Sequence, residues 1–185
     1  PMEGAHESYG EDSSRLQKEK KEVAKEPLNI ALEAEEYTIT FAANKKTLTR
    51  KELFDWSKES DEQIHYYSGT ATYKTTFRWK NKLKKGQQIY LNLGTVCNLA
   101  TVRVNGIDCG TIWTAPYRAD ITTALKKGIN TLEIEVTNTW ANALKGADEG
   151  KTPFEGIWTN AKYRKQENEL LPAGLLGPLS FSITE

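Results

Sequence analysis

Cysteine, methionine and histidine are scarce in this chain: two, one and two residues among 185. Cys97 and Cys109 lack the clustered spacing of a zinc site, while a disulfide between them stays open from sequence. His6 and His65 have no companion Ser, Cys or Asp in motif spacing, which leaves no catalytic triad. An excess of charge of one sign is also missing, since 25 Lys and Arg balance 25 Asp and Glu. Without a basic stripe there is no long-range field to recruit nucleic acid or an anionic membrane, so neither is an expected partner. No apolar run approaches the roughly 20 residues of a membrane-spanning helix. The glycines open no phosphate-binding or dinucleotide loop. Pro1 to Gly10 lacks the charged and apolar regions of a secretory signal, so the chain is expected to start inside a longer protein or after processing.

The length suits one domain with a substantial core plus a tail, and is too short for a catalytic barrel of roughly 250 residues. From Glu11 to Glu26 ten of sixteen residues are charged, and only Leu16 and Val23 are sizeable apolar groups. Such a stretch cannot offset its ordering entropy by burial, so residues 1–27 read as a charged linker or tail, with a solvated helix as the competing reading. After Pro27 the pattern becomes short segments of period-two alternation separated by turn residues, the signature of an all-β sandwich or barrel over 28–185. Alternation is clearest at Ala71, Tyr73, Thr75 and Phe77, at Ile89, Leu91 and Leu93, at Leu132, Ile134 and Val136, and at Leu179, Phe181 and Ile183. Leu28 to Phe41 supplies a less regular pair of apolar segments, and Thr47 to Trp56 is expected to hold one short helix. Asp120 is placed to cap a helical turn that Gly128 ends in the left-handed conformation.

Asn105-Gly106 marks a two-residue hairpin, because this pair favours positive φ at both positions. That turn sets Val104 opposite Ile107, Arg103 opposite Asp108 and Val102 opposite Cys109. Val102, Val104, Ile107 and Cys109 are then expected on one buried face, with an Arg103–Asp108 ion pair on the other.

The run from Val104 to Asn138 closely resembles the sugar-binding β-sandwich domain of glycoside hydrolase family 2 enzymes. It carries that family's valine-asparagine-glycine hairpin, aromatic loop, Asp-Ile-Thr turn, Gly-x-Asn turn and alternating strand ending in asparagine. YYSGTATYKTTF (Tyr66 to Phe77), NTWANALKGAD (Asn138 to Asp148) and LLPAGLLGPLSF (Leu170 to Phe181) are similar to the C-terminal sandwich of bacterial family 106 enzymes, the α-L-rhamnosidases. The resemblance spans about Asp55 to Ile183 and implies a galactose-binding-domain-like jelly roll. It also implies that the catalytic carboxylates sit on a separate domain, which this domain supports, and that the protein works in the periplasm or outside the cell. Where the rhamnosidase-like pattern has proline and arginine around its second asparagine, this chain has Ala141 and Ala143, so that arginine's contact is missing and the substrate is not carried over.

Carbohydrate is the expected small partner, and the catalytic domain of a parent hydrolase the expected large one. A pyranose offers a ring face that stacks on Trp or Tyr, and hydroxyls that suit Asn, Asp and Arg. Trp113, Tyr117 and Arg118 fall in the loop after the hairpin, and Asn138, Trp140 and Asn142 in the loop after the TLEIEV strand. Loops of a sandwich cluster at its ends, which makes these six a candidate sugar site. The competing reading has Trp113 and Trp140 capping the core and Asn138 bonding loop backbone. Trp158 and Phe154, in a longer loop, face either the sandwich edge or a ligand. Asp148, Glu149 and Glu155 are the only acids placed for glycosidase work, and nothing in their spacing sets the 5 to 10 Å separation that roughly brackets such pairs. No catalytic residue and no cofactor is therefore assigned. A structural calcium is a further candidate by resemblance, although no dedicated calcium loop is present.

Overall fold

The computed structural model describes residues 28–151 and 169–184. The charged segment 1–27, together with Phe154, Glu155 and Trp158, lies outside the described residues. Twelve strands are formed among them: β1 (Leu28–Ala31), β2 (Tyr37–Phe41), β3 (Thr47–Arg50), β4 (Thr70–Trp79), β5 (Gln88–Asn92), β6 (Thr95–Cys97), β7 (Leu99–Val104), β8 (Ile107–Ile112), β9 (Arg118–Asp120), β10 (Gly128–Thr137), β11 (Gly174–Gly177) and β12 (Ser180–Thr184). Helices α1 (Glu62–His65) and α2 (Ala141–Asp148) and a 3-10 turn at Trp56–Lys58 complete the described elements. Six strands pair in the order β3-β2-β4-β10-β7-β8, four in the order β1-β12-β5-β9, and β11 pairs with β6. Every strand pairing is antiparallel, and the fold is the expected galactose-binding-like β-sandwich.

Alternation explains the layering. In β4 and β10 the inward-facing apolar side chains (Ala71, Tyr73, Phe77, Trp79; Leu132, Ile134, Val136) are buried at two-residue spacing, interrupted in β4 by the half-buried Thr75, and Ile89, Leu91 and Phe181 answer from the smaller sheet. Phe181 closes the gap between the sheets, with its ring centroid 5.0 Å from Phe77 and 5.1 Å from Trp79. A second cluster sits at one end of the sandwich, where Phe41, Trp56 and Tyr67 meet edge to face at 4.8 to 5.5 Å.

That cluster fastens the C-terminal part of the chain. The Asp55 carboxylate accepts from Ser57 N, Ser57 Oγ and Ala173 N, the indole of Trp56 donates to the Tyr73 hydroxyl at 2.7 Å, and the same hydroxyl accepts from Leu175 N at 3.2 Å. Gly174 lies between, with φ +97° and so little room that a Cβ would sit 2.4 Å from Trp56 Nε1.

Three local expectations are corrected. Thr47 to Arg50 is the edge strand β3, not a helix, because its backbone pairs with Tyr37 to Thr40; helical turns come only at Trp56 and Glu62, each capped by an Asp (Asp55, Asp61). The hairpin turns at Asn105-Gly106 with φ 52° and 77° as expected, but its register shifts one step on: Arg103 faces Asp108 while Thr101 faces Thr111. Cys109 and Gly110 together oppose Val102 in a bulge that Gly110 permits at φ +107°. Ile107, still opposite Val104, is 48% exposed because β8 is the edge of its sheet, and Cys109 is half-buried there, instead of both sharing the core with Val102 and Val104. Arg103 ion-pairs with Glu135 at 3.0 Å and not with Asp108, whose carboxylate accepts from Gly110 N inside the bulge. Asp120 does cap a turn, accepting from Thr122 N and Oγ, and Gly128 leaves it at φ +95°.

Gly174→Ala should lower the unfolding free energy by about 3 kcal/mol, from overpacking against Trp56 plus a left-handed backbone. Gly110→Ala, left-handed but with no heavy atom within 4 Å of the new Cβ, should cost only about 1 kcal/mol; urea denaturation of both variants checks the ranking, and equal losses would refute it. Burial pushes the Tyr73 phenol up to about 12, against the opposing hydrogen bonds from Leu175 and Trp56. The fold thus favours neutral Tyr73, so its contribution is complete below pH ~10 and lost as pH rises toward 12, on the order of 2–3 kcal/mol. Thermal unfolding across this range should show that decline, and Tyr73→Phe should flatten it.

Candidate functional site at one end of the sandwich

Register fixes which loops meet. Ala100 on β7 faces Val136 of β10 on one side and Ile112 of β8 on the other, so β8 and β10 run parallel and end at the same level. The segments that follow, 113–117 and 138–140, therefore emerge at one end of the six-stranded sheet, beside the β6–β7 junction at Asn98. Trp113 is 71% exposed and Trp140 57% exposed there, with Leu171 also standing out of the core. Of the sequence-predicted site residues that are described, these two tryptophans are the ones that present broad apolar faces to solvent.

The remaining candidates have other work. Asn138 accepts from Gly69 N at 2.8 Å and donates to Tyr67 O at 2.8 Å, tying the end of β10 to the segment that enters β4. Asn142 lies in α2 and not in a loop; it is 3% exposed, donates to Leu171 O and accepts from Leu171 N. That two-way bond holds the returning chain beneath the end, leaving the Asn142 amide no face toward a solute. Tyr117 is half-buried against the core. Arg118 opens β9 and belongs to the outer face of the smaller sheet, with its guanidinium 4.5 Å from the Tyr90 ring centroid. Trp158 lies outside the described residues.

Sequence reasoning passed over Asn98. It is exposed at the same end, and its Oδ1 accepts from Thr139 N at 3.2 Å, next to Trp140. Nothing in the run TVCNLATV separates it from any other turn asparagine; only the pairing of β7 with β10 puts it beside the tryptophans.

Catalytic equipment is not assembled from the described residues. Glu149, just past α2, accepts from the Tyr66 hydroxyl at 2.8 Å; burial and this carboxylate both push the Tyr66 phenol up. Lys151 ion-pairs with Glu62 at 2.8 Å, pinning the same corner. Asp148 is exposed at the end of α2, and its proposed partner Glu155 lies outside the described residues. Cys97 and Cys109 are free thiols, each pushed up mainly by burial, which makes both poor nucleophiles near neutral pH. Among the described residues no group of three His, Cys, Asp or Glu side chains converges, so they offer no carboxylate cage for the calcium that the resemblance allows.

Comparison with known proteins agrees with this fold. The family model described as the glycosyl hydrolase 2 galactose-binding domain-like domain matches residues 48–170. A protein of Formosa agariphila named "Putative beta-glucuronidase" is 37% identical over 71% of this chain, and the match occupies 13% of that protein. The solved rhamnosidase of Novosphingobium sp. PP1Y superposes with a TM-score of 0.75 at 37% identity, over 84% of this chain and 15% of its own. An FMN-binding beta-glucuronidase of Facaelibacterium prausnitzii shares the fold at a TM-score of 0.56 and 22% identity, over 85% of this chain and 22% of its own. The chain thus spans about an eighth to a fifth of the length of these relatives.

Asn138→Ala and Asn142→Ala should each destabilise the domain by about 1–3 kcal/mol, because each strands two backbone groups in partly or fully buried positions. Trp113→Ala should fall within about 0.5 kcal/mol of the unaltered chain. Equilibrium urea unfolding distinguishes the two classes, and undiminished stability in the asparagine variants would contradict the structural role given to them.

Proposed function

This chain belongs to the glycosyl hydrolase 2 galactose-binding domain-like family, and from that premise we propose that it serves as a non-catalytic domain of a larger glycoside hydrolase, docking through its aromatic end onto the domain that carries the catalytic acids. One observation carries the reading: Trp113 and Trp140 stand exposed at the same end, while the polar side chains around them, Asn138 and Asn142, are engaged with backbone instead of aimed outward. Apolar faces without convergent polar groups suit protein packing better than sugar hydroxyls, which need directional partners. The small share of each relative that the chain covers supports the same reading. An enzyme of this class meets polysaccharide in the periplasm or outside the cell, where we place the parent protein.

An autonomous carbohydrate-binding role is the second reading, favoured by Asn98, whose exposed amide lies beside Trp140 at the same end. The two roles separate experimentally. Added to a parent enzyme expressed without this domain, the chain should restore thermal stability or turnover, and the Trp113→Ser/Trp140→Ser variant should fail to do so while remaining folded. By itself the chain should release no aglycone from aryl α-rhamnosides, β-galactosides or β-glucuronides. Saturable glycan binding abolished by Trp140→Ala, with no complementation of the parent, would move the function to the second reading.

A further inference from the structure

Two crossings close the end of the sandwich opposite the tryptophans. Residues 80–87 carry the chain from the end of β4 to the start of β5, and residues 121–127 carry it from β9 to the start of β10. Gly128 pairs with Trp79, and Ile121 N donates to Ile89 O beside Gln88, so both crossings lie at one end. The length of β10, about 30 Å, separates them from the aromatic end.

Cations collect here. Arg78 and Lys80 stand at the end of β4, Lys82, Lys84 and Lys85 on the first crossing, and Lys126 and Lys127 at the end of the second, and every one of them is exposed. None forms an ion pair with a described residue, whereas Lys46, Arg50, Arg103 and Lys151 elsewhere each hold a carboxylate. The acid that belongs to this end, Asp120, is turned back onto Thr122 N and Oγ. The first crossing is held in one shape. Leu83 packs against the core, Gln87 N donates to Lys84 O at 3.1 Å, and Lys84 N donates to Gln87 Oε1 at 2.9 Å, so the lysines ride on a fixed turn. Two apolar side chains stand beside them: Ile129, opposite Arg78, is 50% exposed, and Leu28, opposite Ile183 at the start of β1, is 60% exposed.

We infer that this end adsorbs to an anionic phospholipid surface. Summed over the chain, 25 cations and 25 acids cancel, and that balance is why no membrane partner is expected from the sequence. A charged surface, however, senses only what comes within a Debye length of it, about 10 Å at 0.1 M salt, and the two crossings segregate cations at that scale. All but Arg78 are lysines, compact hydrated point charges that suit a diffuse, fluid anionic surface. The core of a protein interface instead depletes lysine and favours arginine. Stacking of nucleic-acid bases needs an exposed ring, and the ring that β4 brings to this end, Trp79, is buried. Ile129 and Leu28 add the apolar contact that strengthens adsorption of a basic face. The inference does not depend on the docking role proposed above, which uses the other end.

Sedimentation of the 185-residue chain with vesicles of phosphatidylglycerol and phosphatidylcholine in equal parts, and with phosphatidylcholine alone, tests it. Uptake is expected by the anionic vesicles and not by the neutral ones. It should be lost between about 0.1 M and about 1 M salt, as the Debye length falls from about 10 to about 3 Å. Each basic side chain near such a surface is worth about fivefold in partitioning, so Lys82→Gln/Lys84→Gln/Lys85→Gln should bind roughly a hundredfold more weakly. Trp113→Ser/Trp140→Ser should bind as the unaltered chain does. Should the triple variant fail to fold, Lys126→Gln/Lys127→Gln on the other crossing replaces it, with an expected loss of about twenty-five-fold. No uptake by anionic vesicles, equal uptake by neutral ones, binding that survives the higher salt, full affinity in a folded lysine variant, or equally tight binding of a DNA duplex would overturn the assignment.

Discussion

Ten consecutive register pairs, from Gly128 opposite Trp79 to Thr137 opposite Thr70, tie β10 to β4, and this one ladder decides most of what the molecule can present. With a side-chain period of two, fixing one pair fixes both faces of both strands. Tyr73, Phe77, Leu132, Ile134 and Val136 must turn inward together, so Thr72, Lys74, Thr76, Glu133 and Glu135 must turn outward. A slip of one residue would exchange the core for the polar face. The ladder also sets where the chain leaves the sheet: β10 ends level with the start of β4, which is why Asn138 can reach both Gly69 and Tyr67.

The parts of this arrangement that follow from local pattern were legible in the sequence. Strands β4, β5, β10 and β12 announce themselves by alternation, and Asn105-Gly106 names its own turn because few other pairs tolerate two positive φ values. The illegible parts depend on partners distant in sequence. TLTR is too short and too polar to read as a strand; it becomes β3 only because β2 supplies a ladder. ANALKGAD has no side-chain N-cap and follows Trp140, yet forms α2 because Ser68 Oγ accepts from Ala143 N, Asn142 grips Leu171, and Glu149 meets Tyr66 just past its end. The bulge at Cys109-Gly110 adds one residue to an edge strand, and no local signal distinguishes it from continued pairing.

The position of the candidate site was legible and its detail was not. Aromatic and amide residues after two strand ends point to one end of a sandwich, and Trp113 and Trp140 do stand there. What the sequence conceals is the existing commitments of each polar group. An asparagine after a strand reads the same whether its side chain makes one backbone bond and stays exposed, as Asn98 does beside Trp140, or is closed on backbone in both directions, as Asn142 is in α2.

Burying a large apolar side chain gains about 1.5–3 kcal/mol, so a partner that covers both exposed tryptophans draws roughly 3–6 kcal/mol from them. A freely diffusing partner must first overcome an association cost of about 4–15 kcal/mol, which two side chains do not meet unaided. A neighbour on the same polypeptide largely avoids that cost, because linkage makes the contact intramolecular. Two tryptophans at the end of a domain that occupies about an eighth of its relatives' length are thus better matched to a tethered protein surface than to a free glycan.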